Sequence, residues 1–241
     1  MTNKIREMSW VEFDKRVKSG ALCIVPTGAV EVYGPQCPLG TDTLTAEAMA
    51  DMVAAKVNAV IAPTIDIGES SGLMSFPGTL TVSMDNYEHY MENVIQVLIN
   101  RGFKNILFIN GHAGNTSIIN YLARKYQREA GVKCAQVDVW KFVEQLGDDV
   151  FEYSGRMAHG HAAESNTSIM LYLHPDLVDM SLAQRVDPVA DPFGDIIKYR
   201  EFNTATPIGV VGDPTVATAE KGEKIMKKCA DRIVEFINNF Y

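Results

Sequence analysis

The 241-residue sequence contains only four cysteines and no close pair of them. A zinc knuckle or a redox motif needs cysteines a few residues apart, so neither is expected. We expect reduced thiols, most of them buried as small hydrophobic side chains. Cys37 lies in an acidic loop, but the neighbouring sequence shows no base that would activate it as a nucleophile. The other three are Cys23, Cys134 and Cys229.

Hydrophobic runs of membrane-spanning length are also absent, and the amino-terminal MTNKIREMSW has no apolar core of signal-peptide length. Runs of lysine and arginine are missing, and the formal net charge is -8 with a pI near 5.1. Because nucleic-acid binding needs a basic face, this composition argues against nucleic acid as a partner. We expect a cytoplasmic protein that acts on a small molecule and binds neither nucleic acid nor membranes.

What the sequence contains is a series of short apolar segments, each followed by a polar loop and then by a helical pattern. Continuously apolar runs of this kind predict strands that are buried on both faces of a parallel sheet. No repeat, linker or low-complexity tract divides the chain, so we expect one α/β domain over residues 1–241. The predicted strands are at residues 21–25, 59–67, 106–109 and 132–140.

The loop after the first predicted strand carries two carboxylates, Glu31 and Asp42. Its sequence, PTGAVEVYGPQCPLGTD, is rich in glycine and proline, which hold the backbone in tight bends. A loop at the carboxyl end of a strand is where open α/β sheets bind ligands. Two alternatives remain open here. The first is that the acids are merely solvated in a surface turn, and the second is that Asp42 serves only as the N-cap of the helix predicted at residues 43–57.

Two later segments of the chain carry histidines that are candidates for the same site. The third strand runs into NGHAGN, which brings His112 to the same rim of the sheet. Because this turn contains glycine, phosphate binding is an alternative, but the dinucleotide fingerprint and the Walker lysine are both missing. Further on, HGHAAESNTS places His161 and Glu164 ahead of an apolar helix. Either histidine of this segment could be structural if it stood alone.

Carboxylates and imidazoles together suit Zn, Mn or Fe. A divalent ion lowers the pKa of bound water to about 7 and polarises a carbonyl, so metal-assisted hydrolysis is the natural reaction class. The residues that could contribute are Glu31, Asp42, His112, His161 and Glu164.

Several motifs in order along most of the chain resemble the creatininase (creatinine amidohydrolase) family. The family pattern Glu-x-His-Gly-Pro-His-Leu-Pro-Leu-x-Thr-Asp is met by residues 31–42, and Phe-Pro-Gly-Thr by residues 76–79. Asn-Gly-His-Gly-Gly-Asn corresponds to residues 110–115, His-Ala-Gly-Glu-x-Glu-Thr-Ser to residues 161–168, and Gly-Asp-Pro to residues 212–214.

The resemblance implies an α/β layered sandwich with a mainly parallel central sheet flanked by helices. It also implies a homo-oligomer, commonly a hexamer, with one or two metal ions at the carboxyl ends of the strands. By matching position, Glu31, Asp42 and His112 would hold the first ion. His161 would be the acid–base or substrate-orienting residue, and Glu164 would be a further ligand or the base.

This chain departs from the family pattern at three of the predicted site residues. Tyr33 and Gln36 stand where the family has histidines, the first of them metal-binding, and Asn166 replaces a glutamate. We therefore expect one tight divalent ion per chain, zinc before manganese or iron, with a doubtful second site. Tyr33, Gln36 and Asn166 are predicted to bind substrate. Tyr33 could instead donate to a carboxylate or simply pack in the loop.

Three functions are compatible with these residues. The first is a metal-dependent amidohydrolase that uses metal-activated water on a carbonyl of a small, cyclic amide. The second is hydrolytic carbon–carbon cleavage of a cyclic polyhydroxy diketone of the inosose type, in which neutral side chains would bind the hydroxyl groups. The third is a catalytically inactive relative that binds a metabolite.

Overall fold

A parallel sheet of four strands lies at the centre of the protein. The computed structural model describes residues 2–190, 192–193, 196, 198 and 201–241. All three pairs of neighbouring strands are parallel, and β1 and β3 occupy the middle of the sheet in the order β2-β1-β3-β4. The strands are β1 (Leu22–Thr27), β2 (Ala59–Ile61), β3 (Asn105–Asn110) and β4 (Lys133–Asp138).

Helices cover both faces of this sheet. Alternate residues of a strand point to opposite faces, so Ile24 and Leu107 enter one hydrophobic core while Cys23 and Phe108 enter the other. The first core packs against α2, α5, α7 and α8, and the second packs against α1, α3 and α4. Their bounds, with the short α6, are α1 (Trp10–Lys18), α2 (Thr41–Ala54), α3 (Met84–Asn100), α4 (Thr116–Ala130), α5 (Val139–Leu146), α6 (Gly155–His159), α7 (Glu164–Leu173) and α8 (Ala219–Phe240).

The predicted α/β fold with a mainly parallel sheet is confirmed, and the element bounds differ in ways that bear on function. The second strand ends at Ile61, because the chain reaches Pro63, which has no N–H to donate to a ladder. Asp42 lies inside the first turn of α2, whose N-cap is Gly40, so Asp42 is not the capping residue. Trp140 belongs to α5 and not to the preceding strand.

The carboxyl ends of β1 and β3 lie side by side, with Thr27 opposite Asn110. This register places the loop that follows β1 next to the turn that follows β3. A third loop, residues 62–83 between β2 and α3, reaches the same edge of the sheet. Part of the segment at residues 187–214, which is rich in proline and glycine, lies outside the described residues. Among the helices that the structure describes, none is long and apolar enough to cross a membrane.

Candidate metal centre

Glu31, Asp42 and His112 meet at the carboxyl ends of β1 and β3. One ligand atom from each side chain lies within 4.8 Å of the other two. His112 Nδ1 is 3.1 Å from Glu31 Oε2 and 3.1 Å from Asp42 Oδ2. All three residues are buried, with 2%, 1% and 6% of their surface exposed. The structure thus brings together the three residues that the sequence predicted as ligands of the first ion.

The motif around His112 explains how the two chain segments come so close. Asn110 Oδ1 accepts from the His112 backbone N–H at 3.2 Å, and Asn110 Nδ2 donates to the His112 carbonyl at 2.7 Å. Gly111 lies directly against the backbone carbonyl of Asp42, where any side chain would overlap that oxygen. The turn after β3 is therefore packed backbone to backbone against the start of α2.

The electrostatics of this group favour a positive charge at its centre. Burial raises the pKa of Asp42, and the charge of Glu31 raises it further, whereas the hydrogen bond from His112 opposes both. Burial acts on Glu31 in the same direction, but the hydrogen bond and charge of His112 bring its pKa below the ordinary value. Burial by itself would lower the pKa of His112, yet hydrogen bonds to Asp42 and Glu31 raise it to about 11.

Two buried carboxylates around one imidazole carry excess negative charge that a low-dielectric interior does not stabilise by itself. A divalent cation neutralises that charge, and one nitrogen with two carboxylates is a donor set that zinc accepts. The residues present therefore fit a metal ion.

The second oxygen of Asp42 is already occupied by two hydrogen-bond donors. Asp42 Oδ1 accepts from the Tyr33 hydroxyl at 2.7 Å and from the Trp140 indole Nε1 at 2.7 Å. Burial and the charges of Asp42 and Glu31 raise the pKa of Tyr33 well above its ordinary value, so the phenol is neutral and donates. Sequence reasoning missed Trp140, since no local pattern marks it as the partner of a carboxylate.

Ser70 is a second residue that sequence reasoning did not single out. Its hydroxyl donates to Glu31 Oε2 at 2.6 Å and lies 3.2 Å from His112 Nε2. The residue is 1% exposed. A serine in a polar loop carries no signal of such a contact.

His161 lies beside Tyr33, at the edge of the cluster. Its ring centroid is 4.4 Å from that of Tyr33 and 4.9 Å from that of Phe202 on another side. His161 Nε2 is 2.6 Å from the carbonyl oxygen of Val32. A carbonyl can only accept, so Nε2 carries the proton and Nδ1 is the nitrogen left to take up another.

The two amide side chains predicted to bind substrate each make hydrogen bonds within the protein, while Gln36 Oε1 is buried without a partner among the described residues. Gln36 Nε2 donates to the Ala162 carbonyl at 2.9 Å and to Thr167 Oγ1 at 3.1 Å. Asn166 Oδ1 accepts from the Ala163 backbone N–H at 3.0 Å at the start of α7. Both residues are almost fully buried. Both amides stabilise the segment that leads into α7, and their contact with substrate stays a prediction.

Glu164 is likewise separate from the cluster. Its Oε1 accepts from the backbone N–H of Glu152 at 2.8 Å and from Lys221 Nζ at 2.6 Å, and its Oε2 accepts from the N–H of Tyr153 at 3.2 Å. The side chain is completely buried. A carboxylate with these partners holds α7 to α8 and to residues 152–153. The placement therefore does not support the role of metal ligand or base.

A parallel α/β sheet with a buried carboxylate–imidazole cluster at the carboxyl ends of its strands fits the class of metal-dependent hydrolases. The family model described as Creatininase: Creatinine amidohydrolase matches residues 6–237. The chain therefore belongs to the creatininase family, and the resemblance seen in its motifs is confirmed. It is accordingly a hydrolase, and the family acts on carbon–nitrogen bonds with the help of a metal.

Individual relatives differ in what they act on. The chain is 30% identical to the creatinine amidohydrolase of Pseudomonas putida, with 97% of this chain and 95% of that protein covered. It is 31% identical to the mycofactocin precursor peptide peptidase of Mycolicibacterium smegmatis, with 88% and 84% covered. It is 27% identical to the 3-dehydro-scyllo-inosose hydrolase of Thermotoga maritima, with 96% and 81% covered.

Solved creatininase structures share the fold over the whole chain. A mutant creatininase described as the Zn-Zn type has a TM-score of 0.86 at 26% identity and covers 99% of this chain and 98% of its own. A structure described as Creatininase Mn has the same TM-score, identity and coverage.

Proposed function

We propose that this protein is an amidohydrolase that holds one tight divalent ion, zinc before manganese or iron, and hydrolyses the carbon–nitrogen bond of a small cyclic amide. The observation that carries the proposal is the buried cluster of Glu31, Asp42 and His112, whose ligand atoms lie within 4.8 Å of one another. The creatinine amidohydrolase relative supports the substrate class.

Each residue of the site has a distinct task in this reaction. Glu31, Asp42 and His112 would hold the ion, which when bound supplies an acidified water and a polarised substrate carbonyl. Tyr33 keeps Asp42 Oδ1 engaged at 2.7 Å, which favours a single-ion centre because that oxygen is not free to bridge to another ion. His161 holds its proton at Nε2 against the Val32 carbonyl, so its Nδ1 can accept a proton and return it to the leaving nitrogen.

Carbon–carbon cleavage of a cyclic polyhydroxy diketone is the second candidate, supported by the Thermotoga maritima relative. That substrate would need neutral hydrogen-bonding groups for its hydroxyls. The Tyr33 hydroxyl donates to Asp42, and the Gln36 and Asn166 amides bond to the main chain. The Tyr33 hydroxyl, the Gln36 Nε2 donor and the Asn166 Oδ1 acceptor are engaged in this way, whereas Gln36 Oε1 is buried without a partner in the part of the chain that the structure describes. We place the cyclic amide first because most of these groups already have partners.

The test compares the metal content and the amide hydrolysis of three proteins. The unmodified chain and His89→Ala, a control on the exposed face of α3, should each contain about one ion per chain. His112→Ala should contain well below one and lose hydrolysis of creatinine and related cyclic amides, followed by product formation. Full metal retention in His112→Ala would overturn the site. Turnover of a cyclic diketone but of no amide would select the second candidate.

We also infer that the chain forms a homo-oligomer, for which a hexamer is favoured by the family resemblance. Large apolar side chains are exposed on the loop before α3 and on α3 itself, among them Met74 at 62%, Tyr90 at 56% and Val97 at 55%. Tyr90 and Val97 are seven residues apart on α3 and so lie on one face of that helix, and apolar residues that share an exposed face are typical of a contact with another chain.

A further inference from the structure

The loop between β2 and α3 contacts two of the three proposed ligands, His112 and Glu31. We propose that residues 69–70 form a positioning segment, which means that they orient ligands of the metal site. This inference rests on the metal site proposed above. In this arrangement the Glu69 carbonyl fixes the ring orientation and the tautomer of His112, and the Ser70 hydroxyl orients Glu31. Gly114 is the residue that leaves room for the Glu69 carbonyl.

The Glu69 carbonyl determines which nitrogen of His112 faces the carboxylates as a ligand. His112 Nε2 lies 2.7 Å from this oxygen, while Nδ1 lies 3.1 Å from both Glu31 Oε2 and Asp42 Oδ2. Since a carbonyl only accepts, Nε2 keeps its proton and Nδ1 presents its lone pair when an ion binds. A metal ligand must be deprotonated at the coordinating atom, so this contact selects the competent form of the ring.

The backbone of Glu69 is itself held in place by a hydrogen bond that does not involve His112. Its backbone N–H donates to Asn115 Oδ1 at 3.2 Å, and Asn115 Nδ2 donates to the Gly28 carbonyl at 3.0 Å. Asn115 is completely buried. The Glu69 carbonyl is therefore fixed through Asn115 to the end of β1, the strand that leads to Glu31.

Gly114 makes the approach of Glu69 to His112 sterically possible. A methyl group on Gly114 would overlap the Glu69 carbonyl oxygen and would lie 2.5 Å from His112 Nε2. The obstacle is another backbone atom, which cannot rotate away as a side chain can. An alanine at this position would therefore displace the Glu69 carbonyl or turn the imidazole ring.

Ser70 orients a second proposed ligand, Glu31, through a hydrogen bond. Its hydroxyl donates to Glu31 Oε2 at 2.6 Å, which restricts the rotation of a buried carboxylate. Groups that orient metal ligands in this way are worth about 10- to 100-fold in metal affinity. We expect that loss for each of the two contacts.

Two pairs of variants test the segment. Gly114→Ala is compared with Gly72→Ala, because Gly72 lies in the loop that carries Glu69 and Ser70 and has open space where a methyl group would go. Ser70→Ala is compared with Ser71→Ala, its exposed neighbour. The zinc dissociation constant is measured by competition with a chelator, and the melting temperature of the metal-free protein is measured beside it.

Gly114→Ala and Ser70→Ala should each weaken zinc binding by about 10- to 100-fold, while both controls bind as the unmodified protein does. Nitrogen-15 NMR of the zinc-loaded protein should show His112 protonated at Nε2, and Gly114→Ala should lose that signature. Unchanged zinc affinity in both test variants, at intact folding, would overturn the inference. If His112→Ala loses zinc while these two retain it, the proposed function stands and only the positioning role fails.

Discussion

The Tyr33 hydroxyl donates to Asp42 Oδ1 across 2.7 Å, at the position where the creatininase family pattern has a metal-binding histidine. A neutral phenol is a poor metal ligand, and burial with the charge of Asp42 raises the pKa of Tyr33 well above its ordinary value. Where the family pattern has a ligand, this chain therefore has a hydrogen-bond donor to Asp42. The Trp140 indole, also 2.7 Å from the same oxygen, completes this arrangement.

We predict that Tyr33→Phe retains about one ion per chain and turns over about tenfold more slowly. A hydrogen bond to a charged group is worth about 1.5–3 kcal/mol, and losing it loosens Asp42 without removing a ligand. Tyr33→His should raise the occupancy of a second metal position. Elemental analysis and steady-state kinetics measure both effects. Two tight ions in the unmodified protein, or loss of metal from Tyr33→Phe, would show that Tyr33 is itself a ligand.

His161→Gln should reduce kcat by about 10²- to 10⁴-fold and leave the metal content unchanged, because His161 is assigned to proton transfer and not to coordination. His174→Gln is the matched control, since His174 is the C-cap of α7 and lies outside the cluster. Steady-state kinetics on a cyclic amide and elemental analysis decide the outcome. A His161 variant that retains full turnover would remove this residue from the mechanism.

Glu164 is predicted to act on stability and not on catalysis. Lys221→Met should lower the free energy of unfolding by about 3 kcal/mol, because it leaves a completely buried carboxylate without its cation. Glu164→Gln removes the charge from that site and should keep the bound ion and the kcat of the unmodified protein. Urea denaturation, elemental analysis and kinetics make the comparison. Loss of metal or of kcat in folded Glu164→Gln would restore the catalytic role that the sequence suggested.

Light scattering at micromolar concentration should give a mass that is a multiple of 26.6 kDa, with six chains favoured. The physical reason is the exposed apolar side chains of α3, such as Tyr90 and Val97, which association would bury. A clean monomer at that concentration would contradict the expectation.

The sequence alone determined the α/β class, and its motifs, through their match to the family, predicted that Glu31, Asp42 and His112 would meet. Continuous apolar runs identify buried parallel strands, and the carboxyl ends of neighbouring strands share one edge of a sheet. Local pattern therefore places His112, just after β3, whereas the role of Asp42, in the first turn of α2, came from the family motif. The motifs, which occur along the chain in the order of the family pattern, identified the family and hence the class of reaction.

Only the tertiary structure decided which polar groups are engaged with one another. The Trp140 donor is 98 residues from Asp42, the Lys221 cation is 57 residues from Glu164, and the Ser70 hydroxyl is 39 residues from Glu31. Each of these partners approaches through packing of separate helices or loops on the sheet. A buried polar group must find a hydrogen-bond partner, but its sequence neighbours do not reveal which distant element supplies it.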